Sequence, residues 1–214
     1  MSQRANIAVV YYSSTGHMHE LAEAIRAGAA EAGADVRVRR AAETVPIEDI
    51  VAHHTWMGNI SRTKHIPVAT DDDLLWADGI IFGTPARFGN VAAQLKGFID
   101  TLSGLWHRDL LSDKVYSGFT STASMHGGQE STLLALYNSV HHFGGILVTP
   151  GYKGRVDAAT RNPYGATAFT RSDGSRPVDD ATRKAARLQG RRVAVMATGF
   201  KVGLSRLPDG DAPS

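Results

Sequence analysis

The residues with the clearest chemical potential are Ser13, Ser14, Thr15, Gly16, His17 and Met18, three hydroxyls and a glycine between an apolar run and an amphipathic one. Behind them Ile7-Ala8-Val9-Val10-Tyr11-Tyr12 is short and β-branched, which reads as a central strand. Ahead of them Leu21, Ala22, Ile25 and Ala29 recur at helical spacing as far as Gly33. The turn therefore opens on a helix N-terminus, where unpaired N–H groups and the positive end of the dipole meet hydroxyls, a physical recipe for holding a phosphate. A nucleoside triphosphate loop needs a lysine after its last glycine, and a dinucleotide loop needs G-x-G-x-x-G. Neither pattern is present. One glycine among hydroxyls suits a single terminal phosphate, as in a mononucleotide flavin site, with an ordinary Ser/Thr-capped helix as the plainer alternative.

Two further runs have the same layout. The apolar stretch Gly79-Ile80-Ile81-Phe82-Gly83 empties into Thr84, Pro85, Ala86, Arg87, Phe88, Gly89 and Asn90. Val115-Tyr116-Ser117-Gly118-Phe119 empties into Thr120, Ser121, Thr122, Ala123, Ser124, Met125, His126, Gly127, Gly128, Gln129 and Glu130. A flavin ring needs flat apolar walls and amide or hydroxyl partners for its polar edge, and Phe88, Trp106 and the 120–128 loop supply both kinds. Arg87, His126 and His142 are candidate donors to that edge. As alternatives, Phe88 and Trp106 are core aromatics, Arg87 is a solvated loop charge, and His141 and His142 serve a helix C-terminus.

Elements must exist to bring these loops together. Asp35 to Arg39 alternates as a half-buried or edge strand, Asp71 to Ala77 reads as a short capped helix, and Val91 to Leu102 as a helix closed by Gly104-Leu105-Trp106-His107. The helix after the third loop runs to about His142, and Ile146-Leu147-Val148 is a further buried strand. The stretch from Ala41 to Thr70 has no steady period and reads as a long irregular connection; its His53, His54 and His65 lack a carboxylate at ligand spacing, so no metal site is expected. Pro150 to Pro177 reads as an insertion. The last helix runs from Val178-Asp179-Asp180 to about Lys201 with Ala185, Leu188, Val195 and Met196 inward. Continuous apolar strands alternating with helices predict a doubly wound, five-stranded parallel sheet with helices on both faces. Right-handed crossovers then put all three loops at the carboxyl ends of the strands.

The 214 residues are read as one domain over 5–202 with a disordered tail at 203–214 and a frayed start at 1–4. A net charge of +2 from interspersed residues does not indicate a nucleic-acid surface. No stretch approaches the ~18 apolar residues of a membrane span, and the chain enters a strand without an apolar signal segment, so the expected place is the cytoplasm. The absence of cysteine excludes disulfides, thiol catalysis and Cys-ligated metal.

Six tracts in order resemble a known family: Tyr11-Tyr12-Ser13 through His17, Gly83 through Asn90, Gly104-Leu105-Trp106, Gly127-Gly128-Gln129-Glu130, Pro163-Tyr164-Gly165-Ala166, and Asp173-Gly174-Ser175-Arg176. Together they are similar to the WrbA family of flavodoxin-like NAD(P)H:quinone oxidoreductases, over roughly residues 5–200. The resemblance implies a homotetramer with one FMN per subunit and two-electron reduction of a quinone by NADH or NADPH. It implies that Ser13 to Met18 hold the phosphate, that Ala86-Arg87-Phe88 flank the flavin ring and that Ser121 to Gly127 line its other side. Thr15 stands at the nicotinamide-contact position, where the family often has Tyr, and Trp106 stands on the substrate wall. A His that touches the cofactor in the family falls on His142 or, because the tract His141-His142-Phe143-Gly144 is one residue longer, on Phe143.

The chemistry expected from these residues needs no side-chain nucleophile or base, because hydride transfer belongs to the cofactor. A ping-pong order follows, nicotinamide first and quinone second at one place. Two other readings share parts of the pattern: a flavodoxin-type electron carrier, and a binding or regulatory protein in which FMN only assists assembly. The quinone used and the choice between NADH and NADPH are not encoded in any stretch identified above.

Overall fold

Every residue of the first strand after Asn6 is buried, so its side chains must enter cores on both faces of the sheet, as in a parallel sheet covered on both sides. The computed structural model describes residues 4–152 and 162–206. In chain order the elements are β1 (Asn6–Tyr11), α1 (His17–Glu31), β2 (Asp35–Arg40), α2 (Ile47–Ile50), α3 (His54–Thr63), α4 (Asp71–Trp76), β3 (Gly79–Arg87), β4 (Asn90–Val91), α5 (Ala93–Thr101), α6 (Ser103–His107), β5 (Val115–Thr122), α7 (Gln129–His142), β6 (Ile146–Leu147), β7 (Thr167–Phe169) and α8 (Asp180–Leu204). The sheet runs β2-β1-β3-β5-β6, and each of these pairs is parallel. The order reverses between β1 and β3, the switch point at which open α/β sheets bind ligands.

Ile7, Val9, Tyr11, Ile81 and Phe119 join α1 and α8 in one core; Ala8, Val10, Tyr12, Ile80 and Phe82 join α4, α5 and α7 in the other. On the first face α1 and α8 approach so closely that only glycine fits at two places. A β-carbon on Gly28 would stand 1.8 Å from the carbonyl oxygen of Arg187, and one on Gly190 would stand 2.0 Å from that of Ile25. Between these helices and the sheet lies Gln189, fully buried. Its amide donates to Ser117 Oγ and the Gly118 carbonyl, each at 2.7 Å, and accepts from the Ala166 N–H at 2.7 Å. An amide satisfied on both ends at the centre of a core fixes the register of α8 against β5.

The five-stranded parallel sheet expected from the sequence is present, with its fifth position filled by two pieces. β6 pairs with the start of β5 and β7 with its end, so the strand is interrupted by the 150–166 stretch and resumes. The sequence reading of Ile146 to Val148 as a buried strand is corrected to a half-buried edge, and the 150–177 insertion is corrected to one that contains β7. Residues 153–161 of it lie outside the described residues. The expected irregular connection from Ala41 to Thr70 contains α2 and α3. α3 was invisible to hydrophobic periodicity because its buried positions are Asn59 and Thr63, both polar.

The inward face of α8 is also corrected. Leu188, Val195 and Met196 are exposed and Ala185 half-buried, whereas Ala186, Gln189, Gly190, Val193, Ala194 and Ala197 are buried against α1 and the sheet. The close approach to α1 selects small residues along the contact, and Leu188, Val195 and Met196 point outward while Phe200 packs against the core beyond it. α8 continues to Leu204, past the expected end of the domain at 202, and the remainder of the expected tail from 207 on, like residues 1–3, lies outside the described residues.

Candidate functional site

The three loops leave neighbouring strand ends. Tyr11 is in register with Gly83, Gly83 with Phe119, and Pro85 with Ser121. The joints are sewn across: Tyr12 N–H donates to the Gly83 carbonyl at 2.9 Å, and Thr120 Oγ1–H donates to the Thr84 carbonyl at 2.7 Å. Thr84 Oγ1 in turn accepts from the Ala92 N–H at 2.9 Å. Thr84, Thr120, Ser121 and Thr122 are all buried, so the loops rise from a rigid polar floor.

In the first loop the cap of α1 is Gly16, in the left-handed region at φ 102°, and no side chain caps the helix. The plainer alternative of a Ser- or Thr-capped helix is therefore not what forms. Ser13 Oγ accepts the Gly16 N–H at 3.0 Å, which curls the loop back on itself and leaves the first-turn N–H groups without side-chain partners. Ser14 is buried, and its Oγ accepts from Arg87 Nη2 at 3.3 Å. His17 is buried between Thr15 Oγ1, 2.9 Å from its Nδ1, and the Arg176 carbonyl, 2.9 Å from its Nε2. A carbonyl only accepts, so Nε2 carries a proton and, in the neutral ring, Nδ1 accepts from the Thr15 hydroxyl. Met18 is buried in the core below. The loop thus gathers hydroxyls and first-turn amides at a helix N-terminus, a donor set that fits a phosphate group.

The second run is not a loop throughout, which corrects the sequence reading. β3 continues to Arg87 and folds back as a hairpin, with Ala86 opposite Val91 and Arg87 opposite Asn90. Its two-residue turn is Phe88-Gly89, both at positive φ, 53° and 73°. A bulky aromatic residue in that region is strained, and this one has a relative exposure of 108 %, so it is no core residue. Arg87 is tied to Ala86 O and Ser14 rather than solvated freely. A cleft of about 620 Å³ lies beside the hairpin, lined by Tyr12, Trp56, Arg87, Asn90, Gln94 and Lys96 among others.

The third loop meets the hairpin at its turn. A β-carbon on Gly128, the cap of α7, would stand 2.9 Å from Gly89 Cα, and Ser131 Oγ donates to the Gly89 carbonyl at 3.2 Å. Thr122 Oγ1 donates to the Ser124 carbonyl at 2.8 Å and accepts from Gln129 at 2.9 Å, while Gly127 N–H closes on Ser124 O. Ala123, Ser124, Met125 and His126 stand exposed above this frame. Ser13 to Met18, Thr84 to Asn90 and Ser121 to Gly127 are therefore gathered at one sheet edge.

Trp106 and His142 are not gathered there. α7 starts at the loop edge and its 14 residues carry the chain about 21 Å back toward the other edge. Trp106 Nε1 donates to the His142 carbonyl at 2.8 Å at that far end. Phe143 is buried against the ring of Tyr116, which leaves exposed His142 as the ring open to a second molecule.

Sequence reasoning missed the side chains that press on the loops from outside. Asn59 of α3 donates from Nδ2 to the Ser13 carbonyl at 2.8 Å, and Arg62 Nη2 lies 2.7 Å from where a β-carbon of Gly16 would be. Glu43 accepts from Tyr12 Oη, Trp56 Nε1 and Gln94 Nε2 at 2.9–3.0 Å and anchors α3 beside β1. Burial, reinforced by Glu43, holds the Tyr12 phenol far above its ordinary pKa, so it remains a donor. The Arg171–Arg176 segment closes over His17, its Gly174 packing near Thr15. A sequence signal existed only for the last, as the Asp173-Gly174-Ser175-Arg176 tract. His53 lies tilted on Trp56 at 6.1 Å, and among the described residues no three His or acidic side chains gather as a metal site would need.

This arrangement has close relatives. The family profile described as NADPH-dependent FMN reductase matches residues 6–153. A protein of Methylocella silvestris named NAD(P)H dehydrogenase (quinone) is 44 % identical over 202 residues, 92 % of this chain and 99 % of its own. One of the same name from Deinococcus radiodurans is 44 % identical over 78 % of this chain and 84 % of its own. Among solved structures, a flavodoxin, WrbA-like protein from Agrobacterium tumefaciens superposes with a TM-score of 0.63 at 29 % identity, covering 92 % of this chain and 99 % of that one. An archaeal flavodoxin at 16 % identity and TM-score 0.58 shares the fold. With the loops meeting at the β1/β3 switch point and these likenesses spanning nearly all of it, the chain belongs to the NADPH-dependent FMN reductase family, in its WrbA-type, flavodoxin-like branch.

Proposed function

We propose that the protein is an FMN-dependent NAD(P)H:quinone oxidoreductase, reducing quinones to hydroquinones by two electrons. The observation that carries this reading is the convergence of an uncapped α1 N-terminus, a strained exposed aromatic hairpin and a hydroxyl-rich loop on one switch point. Quinone dehydrogenases 41–44 % identical over most of the chain support it. When bound, FMN would supply hydride acceptance from reduced nicotinamide and hydride donation to the quinone.

The residues divide that work. Ser13, Ser14, Thr15, Gly16, His17 and Met18 would hold the phosphate through amides and hydroxyls. Thr84, Pro85, Ala86, Arg87, Phe88, Gly89 and Asn90 would hold one side of the ring, and Ser121, Thr122, Ala123, Ser124, Met125, His126 and Gly127 the other. Arg87 and His126 would place donors at the edge where negative charge develops. Phe88, held outward by its turn, offers a flat wall that excludes water. The open side would serve nicotinamide and quinone in turn, a ping-pong order.

Trp106 and His142 join this reading only through another copy of the chain, because their own end of α7 faces away from the loops. A homotetramer in which one subunit's Trp106 and His142 approach another's loops is supported by the exposure of Phe88, Met125, Trp106 and Leu134. A cytoplasmic location is part of the same proposal; among the described residues no helix is long and apolar enough to cross a membrane. The test is the absorption spectrum after FMN is added and excess removed, followed by NADH or NADPH oxidation with benzoquinone. Retained flavin bands and steady turnover are expected; a colourless protein, or one without turnover, contradicts the proposal.

A further inference from the structure

The loop assigned above to the phosphate has an electrostatic deficit within its own sequence. A phosphate monoester carries close to two negative charges near neutral pH, and an α-helix N-terminus offers roughly half a positive charge. Ser13 to Met18 contain no lysine or arginine, and the one titratable ring, His17, has both nitrogens engaged by Thr15 and Arg176. A cation must come from outside the loop; Arg87 reaches Ser14 Oγ at 3.3 Å, and the function proposed above assigns it to the edge of the ring.

α3, an element the sequence pattern did not reveal, brings one. Arg62 Nη2 and Asn59 Oδ1 end at a single point, 2.7 and 3.3 Å from the place a β-carbon on Gly16 would occupy. Asn59 is 2 % exposed; its Nδ2 is fixed on the Ser13 carbonyl, and its Oδ1 is a buried acceptor without a donor among the described residues. Arg62 is exposed, and among the described residues its guanidinium makes no ion pair or hydrogen bond. The acidic side chains of α1 nearest this end are committed elsewhere, Glu20 to Arg183 and Glu23 to Arg26. Burial holds the pKa of His19 below the ordinary value, with His65 and Arg62 adding to that effect and Glu23 and Glu20 opposing it.

We propose that α3 is a phosphate clamp: Asn59 is a positioning residue that sets the loop by its Ser13 carbonyl, and Arg62 supplies the cation that neutralises the FMN phosphate. The inference rests on the FMN reading above and assigns it a binding residue outside the three strand-exit loops. An arginine serves better than a lysine here, because its planar fork can serve phosphate oxygens at two nitrogens. Gly16, held at a φ of 102° that favours glycine, leaves the guanidinium its place beside the loop.

The test compares FMN with riboflavin, the same ring without the phosphate, binding to the flavin-free protein by quenching of flavin fluorescence. Arg62→Met is expected to weaken FMN binding by about tenfold, the effect of losing one partly solvated charge-assisted contact, and to leave riboflavin binding unchanged. Arg62→Lys is expected to recover part of the loss. Raising the salt concentration should weaken FMN binding to the unaltered protein more than it weakens riboflavin binding to the same protein, a measurement that needs no variant, and should weaken FMN binding to Arg62→Met less. Equal FMN affinity and equal salt dependence in Arg62→Met overturn the clamp. Equal weakening of FMN and riboflavin also overturns it, because Arg62 then acts on loop shape alone. An unaltered protein that binds no FMN instead defeats the functional reading itself.

Discussion

Single residues carry the most specific consequences. Phe88 holds a backbone conformation that suits glycine and exposes its ring fully, so its contributions to folding and to function have opposite signs. Phe88→Gly is expected to raise stability by about 1 kcal/mol in urea unfolding while lowering quinone turnover severalfold. His19 Nδ1 shares a hydrogen bond of 2.8 Å with the Tyr11 phenol, and burial holds that phenol well above its usual range. The folded protein resists protonating His19, whereas the unfolded chain protonates it at its ordinary 6.5. Its contribution is therefore complete above that pH and is lost as pH falls through the lower, folded-state value. His19→Gln should flatten the decline of unfolding free energy below pH 6.5 relative to the unaltered protein. The meeting of the three loops at one edge was legible because apolar strands alternating with helices leave right-handed crossovers no other place to put them. What Phe88 does was not, since its positive φ follows from the hairpin and not from its neighbours in sequence.

At the scale of elements, what could be read followed apolar period and what could not followed polar burial. β1, β3 and β5 announce themselves as unbroken apolar runs, and α1 as a clean stripe ending in a glycine. α3 turns Asn59 and Thr63 inward, so a hydrophobic pattern gives it no signal although it touches the first strand-exit loop. α8 misleads in the other direction, placing Leu188, Val195 and Met196 outside because α1 leaves room only for small residues and for Gln189. Gly190→Ala forces a methyl group to within 2.0 Å of the Ile25 carbonyl, so the two helices must separate. A loss of about 1–3 kcal/mol is expected, read as a lower urea midpoint with unchanged slope.

Across the whole molecule, the sheet delivers every strand-exit loop to one edge and sends Trp106 and His142 to the other. A tetramer would bring the two ends together. Sedimentation is expected to give four copies of the 22.9 kDa chain, and Trp106→Ala to lower quinone turnover without changing FMN affinity. A monomer with full activity would show that the far end takes no part. The central claim, that loops at the switch point hold a flavin which the protein reduces with its own nicotinamide substrate, is tested most directly by rapid anaerobic mixing of the FMN-loaded protein with NADH or NADPH. Bleaching of the flavin absorbance without any partner reductase, followed by its return when benzoquinone is added, is the expected result. Flavin that stays oxidised through both additions would contradict the account and leave an electron carrier in its place.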